Sequence, residues 1–293
     1  MTSIKKIKSS IPMKRICLLP NVITAFGLSC GLFAIFKTNM MEAGTMNYHS
    51  LIAITGILLL AAFADLLDGA VARAMKAESD FGGLFDCLAD SITFGVGPSV
   101  IILKTLSVPP GTDLSFFLTA AAMIYTVCGV LRLVRFSLTA QQAKGDRDLS
   151  DAHKKNFTGL PIPGAAAAAI SLNLVLVSDE LKRLITVDET VRVWIMIIGL
   201  VIIGYCMISR WKFPSFKTLH IRVRSFPIVF LTVVSTVVLF YGIINYFALL
   251  FFICSWGYIF IAGILSIIRI ISGRKSKTLE DFEPEPDDDL DTE

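Results

Sequence analysis

The sequence contains few of the residues that usually build zinc sites or disulfide frameworks. Its three histidines, His49, His153 and His220, are scattered over predicted loops and indicate no metal cluster. None of the six cysteines forms a C-x-x-C pair, which argues against both a zinc site and a disulfide-bonded fold. No small-residue cleavage site follows the first apolar run. We therefore expect that run to be a retained membrane span rather than a signal peptide.

Charged residues are also scarce, at 17% of the 293 residues, whereas hydrophobic residues make up 54%. The mean hydropathy of +0.70 excludes an ordinary water-soluble protein. Several apolar runs approach the roughly 20 residues that a helix needs to cross a bilayer. The sequence predicts an all-α integral membrane protein with about eight transmembrane helices. These spans cover roughly residues 20–36, 50–64, 82–103, 114–131, 160–178, 191–208, 226–244 and 249–268.

The positive charges are distributed unevenly between the two sides of this predicted arrangement. With the N-terminus inside, 22 of the 27 Lys and Arg residues fall on inner segments and 5 on outer segments. Cytoplasmic loops are typically enriched in Lys and Arg, so the bias predicts an N-in, C-in topology. The predicted location is the cell (inner) membrane.

Four aspartates lie at the ends of two neighbouring predicted spans. Asp65 and Asp68 are three residues apart, and Asp86 and Asp90 are four apart. Residues at these spacings share one face of a helix. An ionised side chain beside an apolar span is costly and usually functional. Grouped carboxylates repel one another unless cations neutralise them, so the pattern predicts a hard-cation site for Mg²⁺ or Mn²⁺.

The complete pattern is D-x-x-D-G-x-x-A-R-x8-G-x-x-x-D-x-x-x-D, beginning at Asp65 and ending at Asp90. It resembles the signature of the CDP-alcohol phosphotransferase family, and every fixed position is filled. The resemblance implies that the aspartates bind two divalent ions and that Asp90 also deprotonates the attacking alcohol. The residues expected to bind the nucleotide and its diphosphate are Gly69, Arg73, Gly82, Asn21 and Thr24. For Asn21 and Thr24, capping or packing of the first span is an equal alternative.

Further stretches are similar to the members of that family that use CDP-diacylglycerol and L-serine. They include Leu131 to Phe136, Phe157 to Pro163, and the extension of the motif from Leu88 to Pro98. Thr93 and Ser137 depart from the expected Ser and Asn. Arg135, or else Arg132, is the predicted partner of the serine carboxylate, since a guanidinium pairs well with a carboxylate. The alternative is that both arginines anchor a helix end among lipid head groups.

Composition and the resemblance together divide the chain into four predicted parts. Residues 1–16 form a basic amphipathic or juxtamembrane segment, and residues 17–217 form a six-helix catalytic core. Residues 218–272 add two spans, and residues 273–293 form an acidic disordered tail. The predicted partners are CDP-diacylglycerol, L-serine and membrane lipid, with no nucleic acid, and a homodimer is left open. The alternative acceptors are glycerol 3-phosphate and inositol phosphate. An aspartate-based cation transporter is the competing class.

Overall fold

The computed structural model describes residues 18–42, 46–75, 79–106, 108–142, 157–178, 181, 188–209, 212–213 and 246–272. These residues are almost entirely helical. In chain order the helices are α1 (Leu18–Asn39), α2 (Tyr48–Ala74), α3 (Asp80–Asp90), a π-helical segment (Ser91–Val96), α4 (Gly97–Thr105), α5 (Asp113–Gln142), α6 (Ile162–Val177), α7 (Glu189–Ile208) and α8 (Phe247–Ser272).

Six of the described helical stretches are long and apolar enough to cross a membrane. The stretch Phe81–Thr105, which joins α3, the π-helical segment and α4, is one of them. The predicted all-α membrane fold is therefore confirmed. Seven of the eight predicted spans coincide with described helices, and the predicted span 226–244 lies outside the described residues. The count of eight spans and the N-in, C-in orientation stay predictions.

The fifth predicted span is a short central helix. Helix α6 has 16 residues, and twelve of them are buried against other helices. Its run of alanines lets neighbouring helices approach closely, as small residues do in membrane bundles. The outer helices instead direct large apolar side chains away from the protein, with Phe63, Phe116 and Phe260 each more than half exposed. Such faces suit lipid tails.

Two features of the helices differ from the simple predicted spans. Helix α2 continues without interruption to Ala74, so Asp65 and Asp68 lie inside it. The third span is not one regular helix, because the π-helical segment separates α3 from α4. At its start, Ser79 caps α3 by accepting a hydrogen bond from the backbone N–H of Gly82 at 3.0 Å. This cap fixes the start of α3, the helix that carries Asp86 and Asp90.

A two-residue antiparallel pairing joins the chain before α6 to the chain after α7. Phe157 pairs with Phe213, and Thr158 pairs with Lys212. The next residue, Gly159, has φ +84°, and a Cβ there would lie 2.5 Å from the carbonyl oxygen of Met207. Glycine is therefore required at this turn, both for its backbone conformation and for the close approach.

The predicted segment 1–16 and the predicted acidic tail 273–293 lie outside the described residues, as does most of the polar stretch between α5 and α6. The proposed four-part division of the chain stays a prediction.

Candidate functional site

The first aspartate pair is held where α1 packs closely on α2. A Cβ on Gly27 would lie 3.3 Å from the Cβ of Ala64, so small residues set the separation of these helices. This approach brings Thr24 of α1 next to Asp68 of α2. The Thr24 hydroxyl donates a hydrogen bond of 2.5 Å to Oδ2 of Asp68. Both side chains are buried, at 6% and 5% exposed, so this hydrogen bond orients the carboxylate in a site sheltered from bulk water.

The second aspartate pair lies on one face of α3, as the four-residue spacing predicts. Asp86 and Asp90 are both half-buried, and Ala89 between them is buried. The opposite face of α3 carries Leu84 and Leu88, which are more than half exposed. The helix is therefore amphipathic in the sense that suits a membrane protein, with its carboxylates inside and its large apolar side chains outside.

The two pairs converge on one cavity. One carboxylate oxygen from each of Asp65, Asp68 and Asp86 lies within 4.8 Å of the others. Asp90 lines the same cavity, and all four carboxylates lie close enough to repel one another. The cavity is lined by Thr24, Gly27, Leu28, Ala61, Asp65, Asp68, Asp86, Ala89, Asp90, Thr93 and Phe94.

This donor set fits a hard divalent cation. It offers carboxylate oxygens alone, and no histidine or cysteine takes part in the described cluster. Oxygen ligands of this kind are typical of Mg²⁺ and Mn²⁺ sites. A bound cation would relieve the repulsion among carboxylates concentrated in this half-buried cavity. The hydrogen bond from Thr24 to Asp68 is the kind of outer contact that fixes the orientation of a metal ligand.

The residues expected to bind the nucleotide lie at the ends of the same helices. Arg73 is exposed near the end of α2, and a Cβ on Gly69 would lie 3.4 Å from its Nη1 atom. Gly82, in the first turn of α3, also lies against a polar side chain, since a Cβ there would lie 3.0 Å from Oδ1 of Asn21. Both glycines therefore leave room for a polar side chain, and Asn21 lies next to the start of α3. Thr24 lines the cavity and is also the hydrogen-bond partner of Asp68.

The two candidate arginines on α5 have different surroundings. Arg132 is buried, at 8% exposed, and its positive charge lies close enough to Asp90 and Asp65 to attract both. Its Nε atom is buried without a hydrogen-bond partner among the described residues, and its guanidinium carbon lies 5.9 Å from the ring centre of Phe136. Arg135 instead donates a hydrogen bond of 3.0 Å from Nη1 to the carbonyl oxygen of Ile208, at the end of α7.

Thr93 is the one polar residue lining the cavity that was not predicted as part of the site. Thr93 is 2% exposed, and its hydroxyl has no hydrogen-bond partner in the described part of the chain. It packs so closely against α1 that a Cβ on Gly31 would overlap its side chain. The sequence signal was its position three residues after Asp90. That signal is weak because the intervening residues belong to a π-helical segment, whose geometry the sequence does not reveal.

Comparison with known proteins bears on this site directly. A sequence model of the CDP-alcohol phosphatidyltransferase family matches residues 17–205, which contain all four aspartates and both arginines. A Bacillus subtilis protein named CDP-diacylglycerol–serine O-phosphatidyltransferase is 31% identical over 199 residues, covering 68% of this chain and 91% of the relative. A Helicobacter pylori protein of the same name is 28% identical over 253 residues, covering 82% of this chain and 95% of the relative.

A more distant similarity extends to an archaeon. A Methanocaldococcus jannaschii protein with the same name is 26% identical over 204 residues, covering 70% of this chain and 77% of the relative. The family match includes the stretch from α1 through most of α7, and therefore every helix that lines the aspartate cavity. The resemblance read from the aspartate motif is confirmed, and the chain belongs to the CDP-alcohol phosphatidyltransferase family.

Proposed function

We propose that this protein transfers the phosphatidyl group of CDP-diacylglycerol to the hydroxyl of L-serine, giving phosphatidylserine and CMP. The observation that carries the proposal is the convergence of four aspartates from α2 and α3 on one cavity, in a chain of this family. The serine acceptor is supported by the names of relatives that align with 68% and 82% of the chain. Family membership also argues against an aspartate-based cation transporter.

In the proposed reaction the serine hydroxyl oxygen attacks the phosphorus that carries the diacylglycerol. A new P–O bond forms to serine, the P–O bond to CMP breaks, and CMP leaves with the bonding electrons. Asp90 accepts the hydroxyl proton. Two divalent ions, Mg²⁺ or Mn²⁺, would neutralise the diphosphate and make the hydroxyl more acidic when bound. An aspartate is otherwise a weak base for an alcohol.

The other site residues hold substrates and ligands in this proposal. Asp65, Asp68, Asp86 and Asp90 are the metal ligands. Arg73, with its planar donor fork, binds phosphate oxygens at the exposed end of α2. Gly69, Gly82, Asn21 and Thr24 complete the surface that receives the nucleotide. The catalytic core is residues 17–217, with residues 218–272 as two added spans.

The surroundings of Arg132 favour it over Arg135 as the partner of the serine carboxylate. Its charge lies close to Asp90 and Asp65, and its Nε has no hydrogen-bond partner among the described residues, whereas Arg135 donates to the carbonyl oxygen of Ile208. A single guanidinium matches the single negative charge of a carboxylate. A phosphorylated acceptor such as glycerol 3-phosphate or inositol phosphate carries about two negative charges and would call for further cations beside Asp90.

A panel of acceptors tests the assignment of serine. Purified full-length protein would be incubated with CDP-diacylglycerol and, separately, L-serine, glycerol 3-phosphate or inositol phosphate. We expect CMP release and a phosphatidyl product with L-serine alone. Faster product formation with either phosphorylated alcohol would overturn the serine assignment and leave the family chemistry intact.

Chelation tests the metal requirement separately. We expect EDTA to stop the transfer, Mg²⁺ or Mn²⁺ to restore it, and Zn²⁺ to serve poorly in an all-oxygen site. Transfer that persists after exhaustive chelation would refute the metal site.

We further propose that the site faces the cytoplasm. The support is the distribution of Lys and Arg, with 22 on predicted inner segments and 5 on predicted outer segments. Ser79 and Asp188 are both exposed and lie on opposite predicted sides. In a background without native cysteines, Ser79→Cys and Asp188→Cys should react with an impermeant thiol reagent from opposite sides of the membrane. Labelling of both from one side would refute the orientation.

A further inference from the structure

The second aspartate pair is connected to the buried half of the third span through the π-helical segment Ser91–Val96. Asp90 immediately precedes this segment, and Thr93, Phe94 and Gly95 within it are buried. A π turn contains one residue more than an α turn and disturbs the regular ladder of backbone hydrogen bonds. Within an apolar span, backbone carbonyls displaced in this way need donors from neighbouring helices.

Helix α5 provides two such donors at adjacent positions. The Tyr125 hydroxyl donates a hydrogen bond of 2.8 Å to the carbonyl oxygen of Phe94. The Thr126 hydroxyl is within donating distance of the carbonyl oxygen of Gly95, at 3.1 Å, and of the Ala122 carbonyl in its own helix, at 3.0 Å. Tyr125 is fully buried, at 0% exposed, and lies outside the set of residues that line the aspartate cavity. Its polar group therefore serves the backbone of the π-helical segment rather than a substrate.

The half of the third span beyond the π-helical segment is firmly anchored. Ile101 and Ile102 of α4 are both fully buried, and Ser99 donates to the carbonyl oxygen of Ala122 at 3.1 Å. One residue of helical register corresponds to a rotation of about 100° and a rise of about 1.5 Å. If the π turn relaxed to an α turn, α4 would therefore stay in place and α3 would rotate. That rotation would carry Asp86 and Asp90 away from Asp65 and Asp68.

We propose that Tyr125 is a positioning residue for the reaction: its hydroxyl holds the π-helical segment, and the segment sets the rotation of α3 that presents Asp86 and Asp90 to the other aspartate pair. Thr126 assists through the neighbouring carbonyl. The inference rests on the proposed metal site but not on serine as the acceptor. Tyr125 itself touches neither substrate nor metal in this scheme.

The test compares Tyr125→Phe, which removes one hydroxyl and keeps the ring, with Thr105→Val. Thr105 lies at the far end of the same span and accepts a hydrogen bond of 3.1 Å from Nδ2 of Asn173. Thr105→Val therefore removes a hydrogen bond between the third span and α6 without touching a π-segment carbonyl. Full-length protein would be assayed for its thermal midpoint, kcat and Mn²⁺ affinity, the last by electron paramagnetic resonance without substrates.

We expect Tyr125→Phe to weaken Mn²⁺ binding and to lower kcat, each by about tenfold, the lower end of the effect seen when the orientation of metal ligands is disturbed. Both variants should lower the thermal midpoint to a similar extent, since each loses a hydrogen bond between helices. Thr105→Val should change Mn²⁺ affinity and kcat by less than about twofold. The Mn²⁺ measurement involves no acceptor, so its outcome is independent of whether serine is the substrate.

Two results would overturn the proposal. The first is Mn²⁺ affinity and kcat within about twofold of wild type in Tyr125→Phe. The second is an equal loss in Thr105→Val, which would indicate general destabilisation. If Tyr125→Phe does not fold, Thr126→Val decides, since it removes the second donor, together with the contacts of the Thr126 hydroxyl to Oγ of Ser99 at 2.8 Å and to the Ala122 carbonyl at 3.0 Å. About threefold weaker Mn²⁺ binding in that variant supports the proposal, and unchanged binding refutes it.

Discussion

The two aspartate pairs are positioned by different means, although their sequence spacing looks alike. Asp65 and Asp68 lie in α2, a regular helix of 27 residues, and Asp68 is oriented by Thr24 from the neighbouring helix. Asp86 and Asp90 lie in α3, a helix of 11 residues that ends where the π-helical segment begins. One pair is fixed by close helix packing, and the other depends on an irregular turn in the middle of a span.

The spacing of the aspartates determines which of them share a helix face, but not how the two helices are rotated relative to each other. Spacings of three and four residues place the members of each pair on one helix face. Neither spacing determines how the face of α2 is rotated toward the face of α3. That relation depends on Gly27 against Ala64 for one helix and on the donors from α5 for the other. Both arrangements must hold for the carboxylate oxygens to converge.

The largest effect is expected when one carboxylate is removed from either pair. Asp68→Ala and Asp86→Ala should each lower transfer by more than about 10³-fold, because each removes a metal ligand and leaves the apolar packing intact. Transfer of labelled serine measures the loss, and thermal unfolding in detergent checks folding. Turnover close to wild type in either variant would contradict the shared two-metal site.

A smaller effect is expected at Arg132, whose charge lies close to Asp90 and Asp65. Arg132→Lys keeps the charge but removes the planar fork, so kcat/KM for serine should fall by roughly 10- to 150-fold, equivalent to about 1.5–3 kcal/mol. The KM for CDP-diacylglycerol should change much less. Arg135→Lys is the matched control. If only Arg135→Lys raises the KM for serine, the roles of the two arginines are exchanged.

The orientation of Asp68 by Thr24 can be tested without changing a carboxylate. Thr24→Val should weaken Mn²⁺ binding by roughly 10-fold, the lower end of the range for outer contacts to metal ligands. Thr38→Val is the control, because Thr38 lies in the same helix, is fully buried, and donates only to the Ala34 carbonyl in the described structure. Equal Mn²⁺ affinities in the two variants would show that Thr24 only packs α1 against α2.

The smallest effects are expected at Gly82 and Gly83, two adjacent glycines near the start of α3. A Cβ on Gly82 would lie 3.0 Å from both Oδ1 of Asn21 and Oγ of Ser79, whereas a Cβ on Gly83 meets nothing within 4 Å. Gly82→Ala should therefore raise the KM for CDP-diacylglycerol by a few-fold. Gly83→Ala should leave kinetics unchanged and stabilise the protein by about 0.5–1 kcal/mol. A higher KM in Gly83→Ala alone would reverse this assignment.

The sequence predicted the helices and the membership of the site better than the geometry of the site. Apolar runs are long and continuous, so the fold class and seven of the span positions were readable from composition. The four aspartates were readable because their spacing is local. The π-helical segment was not, since its hydrogen bonds to Tyr125 and Thr126 join residues about 31 positions apart. For the same reason, three-residue spacing could not distinguish Arg132 from Arg135, whose surroundings come from α3 and α7.

We expect the two aspartate pairs to form a single site for two divalent ions, and Mn²⁺ binding tests this most directly. Purified protein with CDP-diacylglycerol and without serine would be titrated with Mn²⁺ and followed by electron paramagnetic resonance. We predict two bound ions per chain with a spin-coupled spectrum, and loss of that coupling in both Asp68→Ala and Asp86→Ala. A wild-type spectrum without coupling, or coupling that survives removal of either carboxylate, would contradict the claim.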